Sequence, residues 1–407
     1  MMMNLLTDGT KMKAVLLADG AKKLSIDNHM GVYSVYKIRL DQLYFNDQND
    51  RISTWISQYK AENSGDKLEE LDRSSFNSII QNFITDSNPE AIKKTQNNIE
   101  LIGQQEAGVV LTDGRIIDGN RRFSCLRNIE EKTGKTQYFE AVILEHDIKD
   151  NEKQIKLLEL MIQHGVDKPV DYNPIDRLVG IYNDIVDKNL LTTKEYADSV
   201  NQTESDILRE VEKSKLMVEY LQFINAPKQF HLARTMNLND PLKELHTILK
   251  QCKDMDIRED LKNVVFANFL MQPHGDMTRY IRKIKKIASN PRLLDDYLSE
   301  QLETTERVCD IIEKQPTVTD KVINEVIRTQ EDIREKFAHS TEKWVSKADG
   351  DATRNRPAQQ AEKAFEMLDI IDTNIFRKMT EEQKDDILKR LDKIDDVVTF
   401  IRGELDV

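Results

Sequence analysis

Residues 110–125, VLTDGRIIDGNRRFSC, constrain the fold of this 407-residue chain more than any other segment. The apolar run 109–111 predicts a short strand that ends at Asp113-Gly114. That pair predicts a two-residue hairpin turn with φ positive at both central positions. A second strand, 115–117, then runs into Asp118-Gly119-Asn120-Arg121-Arg122 at the start of a helix. Glycine lets backbone N–H groups approach a ligand, a helix start presents unpaired donors, and two guanidiniums add charge and forked donors. This is chemistry suited to phosphate. The competing expectation is an arginine pair packed on carboxylates inside the fold. Two merely exposed arginines would be odd there, because acids and not arginines suit the positive end of the helix macrodipole; over the packed pair the anion site is favoured.

The chain is long enough for two or three domains. A net charge of −13, 32% charged residues and only 14 Gly and 9 Pro predict a helix-rich protein. No apolar run approaches the roughly 20 residues of a membrane span. The run 14–17 is closed by Asp19 and does not read as a signal peptide, so a cytoplasmic location without a membrane partner is expected. Cys125, Cys252 and Cys309 lie far apart with no C-x-x-C, so neither a metal site nor a disulfide framework is predicted. The acidic balance argues against coating nucleic acid by bulk charge, though not against a local basic surface.

Strand-rich segments at 33–40 and 139–144 and helical ones at 76–84 and 121–131 predict an α+β domain over residues 1–150. Beyond it helical spacing dominates. Asn173-Pro174 suits a helix start. Thr192 predicts the cap of a short helix through Val200, and Asn201-Gln202-Thr203 a turn before a longer helix over 204–223. The pair fits a helix-turn-helix or an ordinary αα-hairpin, within a helical domain over 151–235. Residues 192–215 hold four Lys or Arg against six acids, so phosphate attraction must be supplied elsewhere. Five cations among Arg279, Arg282, Lys283, Lys285 and Lys286 offer it; a merely solvated helix face is the equal alternative. A helical extension over 236–347 contains amphipathic helices at 298–312 and 318–337. The polar stretch 348–358 reads as a linker. A final helical pair fills 359–407, with Ile387, Leu391, Ile394, Val398 and Ile401 in a heptad-like stripe expected to form intramolecular core, self-association being the lesser alternative.

Gly119-Asn120-Arg121-Arg122, then Ile162-Gln163-His164, then Asn173-Pro174-Ile175-Asp176, then the helix pair, together resemble the ParB family of partition proteins. The family's first box usually reads G-E-R-R-x-R-A and its next E-N-x-Q-R followed by N-P-x-E. Upstream, Ile38-Arg39-Leu40 and Asn49-Asp50-Arg51 stand where the family has an early strand and an N-x-R box. The resemblance covers about residues 33–223 in the right order. It implies a ParB/sulfiredoxin-type N-domain that binds CTP or another nucleoside triphosphate, with Mg²⁺, followed by a helix-turn-helix domain that binds DNA. In that family the nucleotide closes a homodimer into a clamp.

By that resemblance Gly119, Asn120, Arg121 and Arg122 would cradle the phosphates, while Gln163 and Asn173 would face the nucleotide. Thr203, Ser205, Arg209 and Lys213 would meet DNA, helped by the basic Arg282 and Lys286. The departures mark a divergent member, of the kind carried by a phage or mobile element. Ser124 replaces the box's later Arg, Cys125 its Ala, and Leu160 and Met161 its Glu and Asn. About five extra residues separate Gln163 from Asn173, an acidic insertion falls around 61–75, and about 180 residues follow the helix pair. Binding with weak or absent hydrolysis is therefore expected.

Sulfiredoxin's reactive Cys aligns with Asn120, and Cys125 is expected to point into the core, so thiol chemistry is not predicted. Thr133-Gly134-Lys135-Thr136 lacks the first Gly of a P-loop and reads as the turn ending the arginine helix. Glu145-His146-Asp147 reads as a strand-end loop. Two alternatives remain. One is a ParB-fold nuclease or NTPase using Asp113, Asp118 and Glu159. The other is a non-catalytic adaptor that engages a protein partner through its helical C-terminus.

Overall fold

A computed structural model describes residues 4–26, 29–63, 68–145, 148–164 and 173–405. His146 and Asp147, most of the insertion between Gln163 and Asn173, and residues 64–67 of the acidic insertion lie outside them. The N-terminal region contains, in chain order, β1 (Val15–Ile26), β2 (His29–Arg39), α1 (Ser53–Glu62), α2 (Arg73–Ser87), α3 (Pro89–Ile102), β3 (Gly108–Leu111), β4 (Ile116–Asp118), α4 (Asn120–Thr133), β5 (Tyr138–Leu144) and α5 (Ile148–His164). The strands form one mixed sheet in the order β1-β2-β5-β3-β4. Its β3–β5 pair is parallel and the others are antiparallel.

Alternation along the strands gives the sheet two apolar faces. Ile38, Val110, Ile116, Phe139, Ala141 and Ile143 pack with the turn before α1 and with α2 to α4 through Ile52, Ile80, Ile92, Phe123 and Leu126. Val35, Val109, Leu111, Ile117, Val142 and Leu144 pack against Ile155 and Leu158 of α5. Helix α5 thus completes the sheet, and the expected boundary at residue 150 falls inside it. The expected two-residue hairpin is corrected as well. Only Gly114 has positive φ (93°), its N–H donates to the Leu111 carbonyl at 3.0 Å, and the Leu111 N–H donates to that of Arg115 at 2.9 Å. This is a three-residue loop with glycine at its left-handed position. Strand β1 has no counterpart in the sequence reading: its alternation is interrupted by a register shift between Leu17 and Ala21, as suits an edge strand.

Beyond the sheet come α6 (Pro174–Ile181), which continues as a π-helical turn (Tyr182–Asp187), α7 (Thr193–Ser199), α8 (Glu204–Phe223), α9 (Phe230–Thr235), α10 (Asn239–Leu249), α11 (Met255–Met271), α12 (Met277–Ala288), α13 (Pro291–Glu313), α14 (Asp320–Val322) and α15 (Glu331–Asp369). The capping expectations hold. The Asn173 side chain accepts from the Ile175 N–H, with Pro174 in the first turn. Thr192 and Glu195 form a reciprocal capping box on α7, and Thr203 caps α8. One buried cluster runs from Ile175 on α6 to Trp344 on α15, so no core boundary exists near residue 235. A second, smaller cluster joins Leu160 of α5 to Tyr196 and Ala197 of α7 and Ile207 and Val211 of α8. The single helix expected over 318–337 is interrupted: α14 passes into a π-helical turn (Ile323–Ile327) before α15 begins.

Residues up to Val345 form one compact unit and Ser346–Val407 another. The stretch 348–358 is helical, part of α15 with Pro357 inside it, and not the irregular linker expected. The second unit also holds α16 (Glu381–Leu405). Its heptad-like stripe is not buried core: Leu391, Ile394, Val398 and Ile401 are exposed, as are Phe400 on the same helix and Phe365 and Ile370 earlier in the unit.

Candidate functional site

The start of α4 is fixed from below by aromatic packing. Phe123 meets the Phe45 ring edge-on at 4.8 Å and the Phe139 ring at 6.0 Å. Gly119 precedes the helix with φ 104° and ψ 15°, and no side chain caps it. A Cβ there would come within 2.7 Å of the Phe139 ring and 3.0 Å of Arg122 Nη2, so only glycine fits. Asn120 is 8% exposed, yet its Oδ1 has no hydrogen-bond partner, a costly arrangement for a buried acceptor.

The two arginines behave differently. Arg122 donates from Nη2 to Asp118 Oδ2 at 2.9 Å, as the carboxylate alternative foresees. Lys22 of β1 lies 3.5 Å from the same oxygen and donates to the Ala107 carbonyl at 2.5 Å. Arg121 makes no ion pair or hydrogen bond among the described residues. Burial lowers its pKa, and the neighbouring Arg51 and Arg122 lower it further. A half-buried guanidinium whose charged neighbours are cations is unfavourable for folding alone, and it fits an anion. Four residues on, Cys125 is fully buried, and burial pushes its thiol up to about 11 against the opposing pull of Arg121. It is a core residue, as expected. Gly134, with φ 66°, ends α4.

Arg51 arrives on a 3₁₀ turn (Asp50–Ile52) capped by Asn49, whose Oδ1 accepts the Arg51 N–H at 3.1 Å. Its neighbour Asp50 is buried and receives Lys156 Nζ at 2.8 Å. Lys156 also stands 3.3 Å from Asp184 and 3.9 Å from Glu159, with every one of these side chains at most 7% exposed. Burial works against the lysine's charge, but the three carboxylates outweigh it and hold its pKa well above the usual range. Burial pushes Glu159 and Asp184 up to about 7, with Lys156 pulling the other way. A Cβ on Gly180 would lie 2.6 Å from the Asp50 carboxylate, so α6 packs directly on this turn.

Gln163 donates to Glu159 at 2.9 Å while its Oε1 is buried without a partner. The second box is therefore linked to the arginine site through Glu159, Lys156 and Asp50 to Arg51. The Asn173 side chain is engaged in capping α6. Nearby, Asp176 accepts the Thr54 N–H at 3.0 Å, Arg234 donates to Thr54 Oγ1 at 2.7 Å, and the Arg234 guanidinium lies 4.0 Å from the centre of the Trp55 ring. Burial pushes Asp176 up to about 6. Sequence reading quoted Asp50 and Asp176 inside boxes without assigning them partners, and it missed Lys22, Lys156 and Asp184. In the sequence Lys156 is flanked at helical spacing by Glu152, Lys153 and Glu159, so it carries no sign of burial.

No family model matches the chain, and no curated protein matches it.

The residues expected to meet DNA are placed unequally. Thr203 is spent on the α8 cap, accepting the Asp206 N–H at 3.1 Å. Ser205 is exposed, as is Arg209, which pairs with Asp206 at 2.5 Å. Lys213 is corrected: it is 6% exposed, bonded to Glu210 at 2.9 Å and to Asn239 at 3.1 Å, and packing removes it from any surface. On α12, Tyr280, Ile281, Ile284 and Ile287 are buried, whereas Arg279, Arg282, Lys283 and Lys286 are exposed. Arg282 is bonded to Glu244 at 2.7 Å. For the enzymatic alternative, Asp113 is held by the Tyr44 hydroxyl at 2.5 Å, Asp118 by Arg122 and Glu159 by Gln163. Among the described residues no group of three or more His, Cys, Asp or Glu could hold a metal ion.

Proposed function

We propose that this chain is a ParB-like protein that binds the triphosphate of CTP or a related nucleotide at the start of α4 and, gated by that nucleotide, acts on DNA as a clamp or regulator. The observation that carries the reading is Arg121, half-buried beside Arg51 and Arg122 with no acid of its own among the described residues. The uncapped helix start and the Gly119 turn supply backbone N–H donors that fit a phosphate. Mg²⁺ would accompany the phosphates. Titration calorimetry of the full chain with CTP, ATP, GTP and inorganic tripolyphosphate tests it, with binding of at least one expected. Silence from all four sinks the reading. DNA contact would use the exposed basic face of α12 together with Ser205 and Arg209. Duplex affinity should then fall steeply between about 50 and 200 mM salt, and a flat response removes phosphate contact from the account.

A specific observation also favours association through the C-terminal unit, in a homodimer or with another protein. Leu391, Ile394, Val398 and Ile401 keep a heptad-like spacing while exposed, and such a stripe is covered in a coiled coil. Sedimentation should find the wild type dimeric and Ile394→Glu monomeric. A wild type that stays monomeric at all concentrations leaves the stripe to a different protein.

A further inference from the structure

Among the described residues one acid, Asp118, pairs with Arg122 of the arginine site, and its position is specific. It is the last residue of β4, one step before Gly119, with its side chain 27% exposed. One oxygen, Oδ2, serves both Arg122 at 2.9 Å and Lys22 at 3.5 Å. The hold on Arg122 is partial, since its Nε is buried with no partner. Arg121, next in the chain, has no such acid. Among the described residues, then, Arg121 meets no acid, while Arg122 and Lys22 are occupied by one internal carboxylate.

We propose that Asp118 is a built-in competitor of the ligand: it holds Arg122 and Lys22 until a polyphosphate takes them over, and so sets the affinity threshold of the site. This rests on the phosphate reading given above. A phosphate carries more charge than the carboxylate and can use both edges of the guanidinium, including Nε. A ligand bearing two or more phosphates can engage Arg121 first and then draw Arg122 and Lys22 from Asp118. A single carboxylate or a lone phosphate engages only the free arginine. The site thereby discriminates by the number of phosphates, through cost to the weaker ligand. No covalent step is involved.

The test is Asp118→Asn, nearly identical in shape and without the charge. Two partly exposed ion pairs of ordinary strength are removed, so tripolyphosphate and CTP should each bind roughly three- to tenfold tighter. Orthophosphate should gain at least as much, narrowing the preference for the longer anion. In Arg122→Ala/Asp118→Asn the gain relative to Arg122→Ala should shrink to the part carried by Lys22. Tighter binding of tripolyphosphate but not CTP would assign the site to free polyphosphate and still support the competition. Unchanged or weaker binding by Asp118→Asn overturns the inference, because it would make Asp118 a positioning residue for Arg122. Asp118→Ser repeats the charge removal with a different shape if the asparagine variant does not fold. A wild type that binds none of these anions is a different failure, of the phosphate reading itself, and the inference falls with it.

Discussion

Lys156→Met is expected to destabilise the fold by about 3–5 kcal/mol at pH 8, the usual consequence of removing one partner from a buried ion cluster. Methionine matches the length of the lysine and fills its space, so packing loss is small and the effect is electrostatic. It leaves Asp50, Glu159 and Asp184 buried together, all within 4 Å of the lost ammonium, with like charges and no cation among them. The penalty should shrink as pH falls towards 5, because protonated carboxyls need no counter-charge. The wild type should show a weaker form of the same dependence. Glu159 and Asp184 are raised to about 7 in the folded chain, against roughly 4 when unfolded. The stability they contribute is complete below the unfolded value and is lost as pH rises through about 7. Denaturant midpoints should therefore fall between pH 5 and 8, with a slope of about 1.4 kcal/mol per pH unit for each proton involved. Glu159→Gln should flatten that slope. A midpoint of Lys156→Met within experimental scatter of wild type at pH 8 would show the cluster to be of no consequence.

Arg121→Ala should weaken triphosphate binding about 10- to 150-fold, the worth of one charge-assisted hydrogen-bonding group at a partly desolvated site. Its effect on folding should have the opposite sign. The side chain is half-buried and its charged neighbours are Arg51 and Arg122, so removing it relieves both desolvation and repulsion. The melting temperature of the free protein should hold or rise. Loss of affinity with a melting temperature that drops by several degrees would mean that Arg121 stabilises the fold, and the case for the anion site would lose its main support. Arg122→Ala should be milder for the ligand, because Arg122 is already shared with Asp118.

What was legible in the sequence was local. The bounds of α8, the capping box of α7 and the Asn173-Pro174 start of α6 follow from side chains that bond within three residues of themselves. The segment from β3 to α4 was legible for the same reason, down to the glycine before the arginines. Its hairpin was misjudged because Asp-Gly serves two loop lengths, and the one chosen here lets Asp113 accept the Arg115 N–H. What was not legible depends on partners far along the chain. Lys213 looks like a surface cation until Asn239 meets it, and Lys156 looks like any helical lysine until Asp50 arrives. The two readings of the arginine pair could not be separated by sequence, and the fold treats the residues differently: Arg122 packs on Asp118, whereas Arg121 meets no acid among the described residues. The heptad-like stripe of α16 was legible as a stripe. Whether it is covered depends on what lies against it.

The bond between Asp50 and Lys156 spans 106 residues, and the sheet needs α5 to cover its second face. On the ribosome these facts impose an order of events. Synthesis proceeds at about 5–20 residues per second, so β1, β2 and the Asp50 turn emerge several seconds before the helix that completes them. During that interval Asp50 is hydrated and the face bearing Val35 and Val109 is uncovered. The arginine site shares its turn with Asp50 and gains its final geometry only when α5, α6 and the Asp184 turn have been made. A nascent chain halted before residue 156 would carry all four residues of the Gly119–Arg122 box and still lack Lys156, the partner of the Asp50 carboxylate beside Arg51.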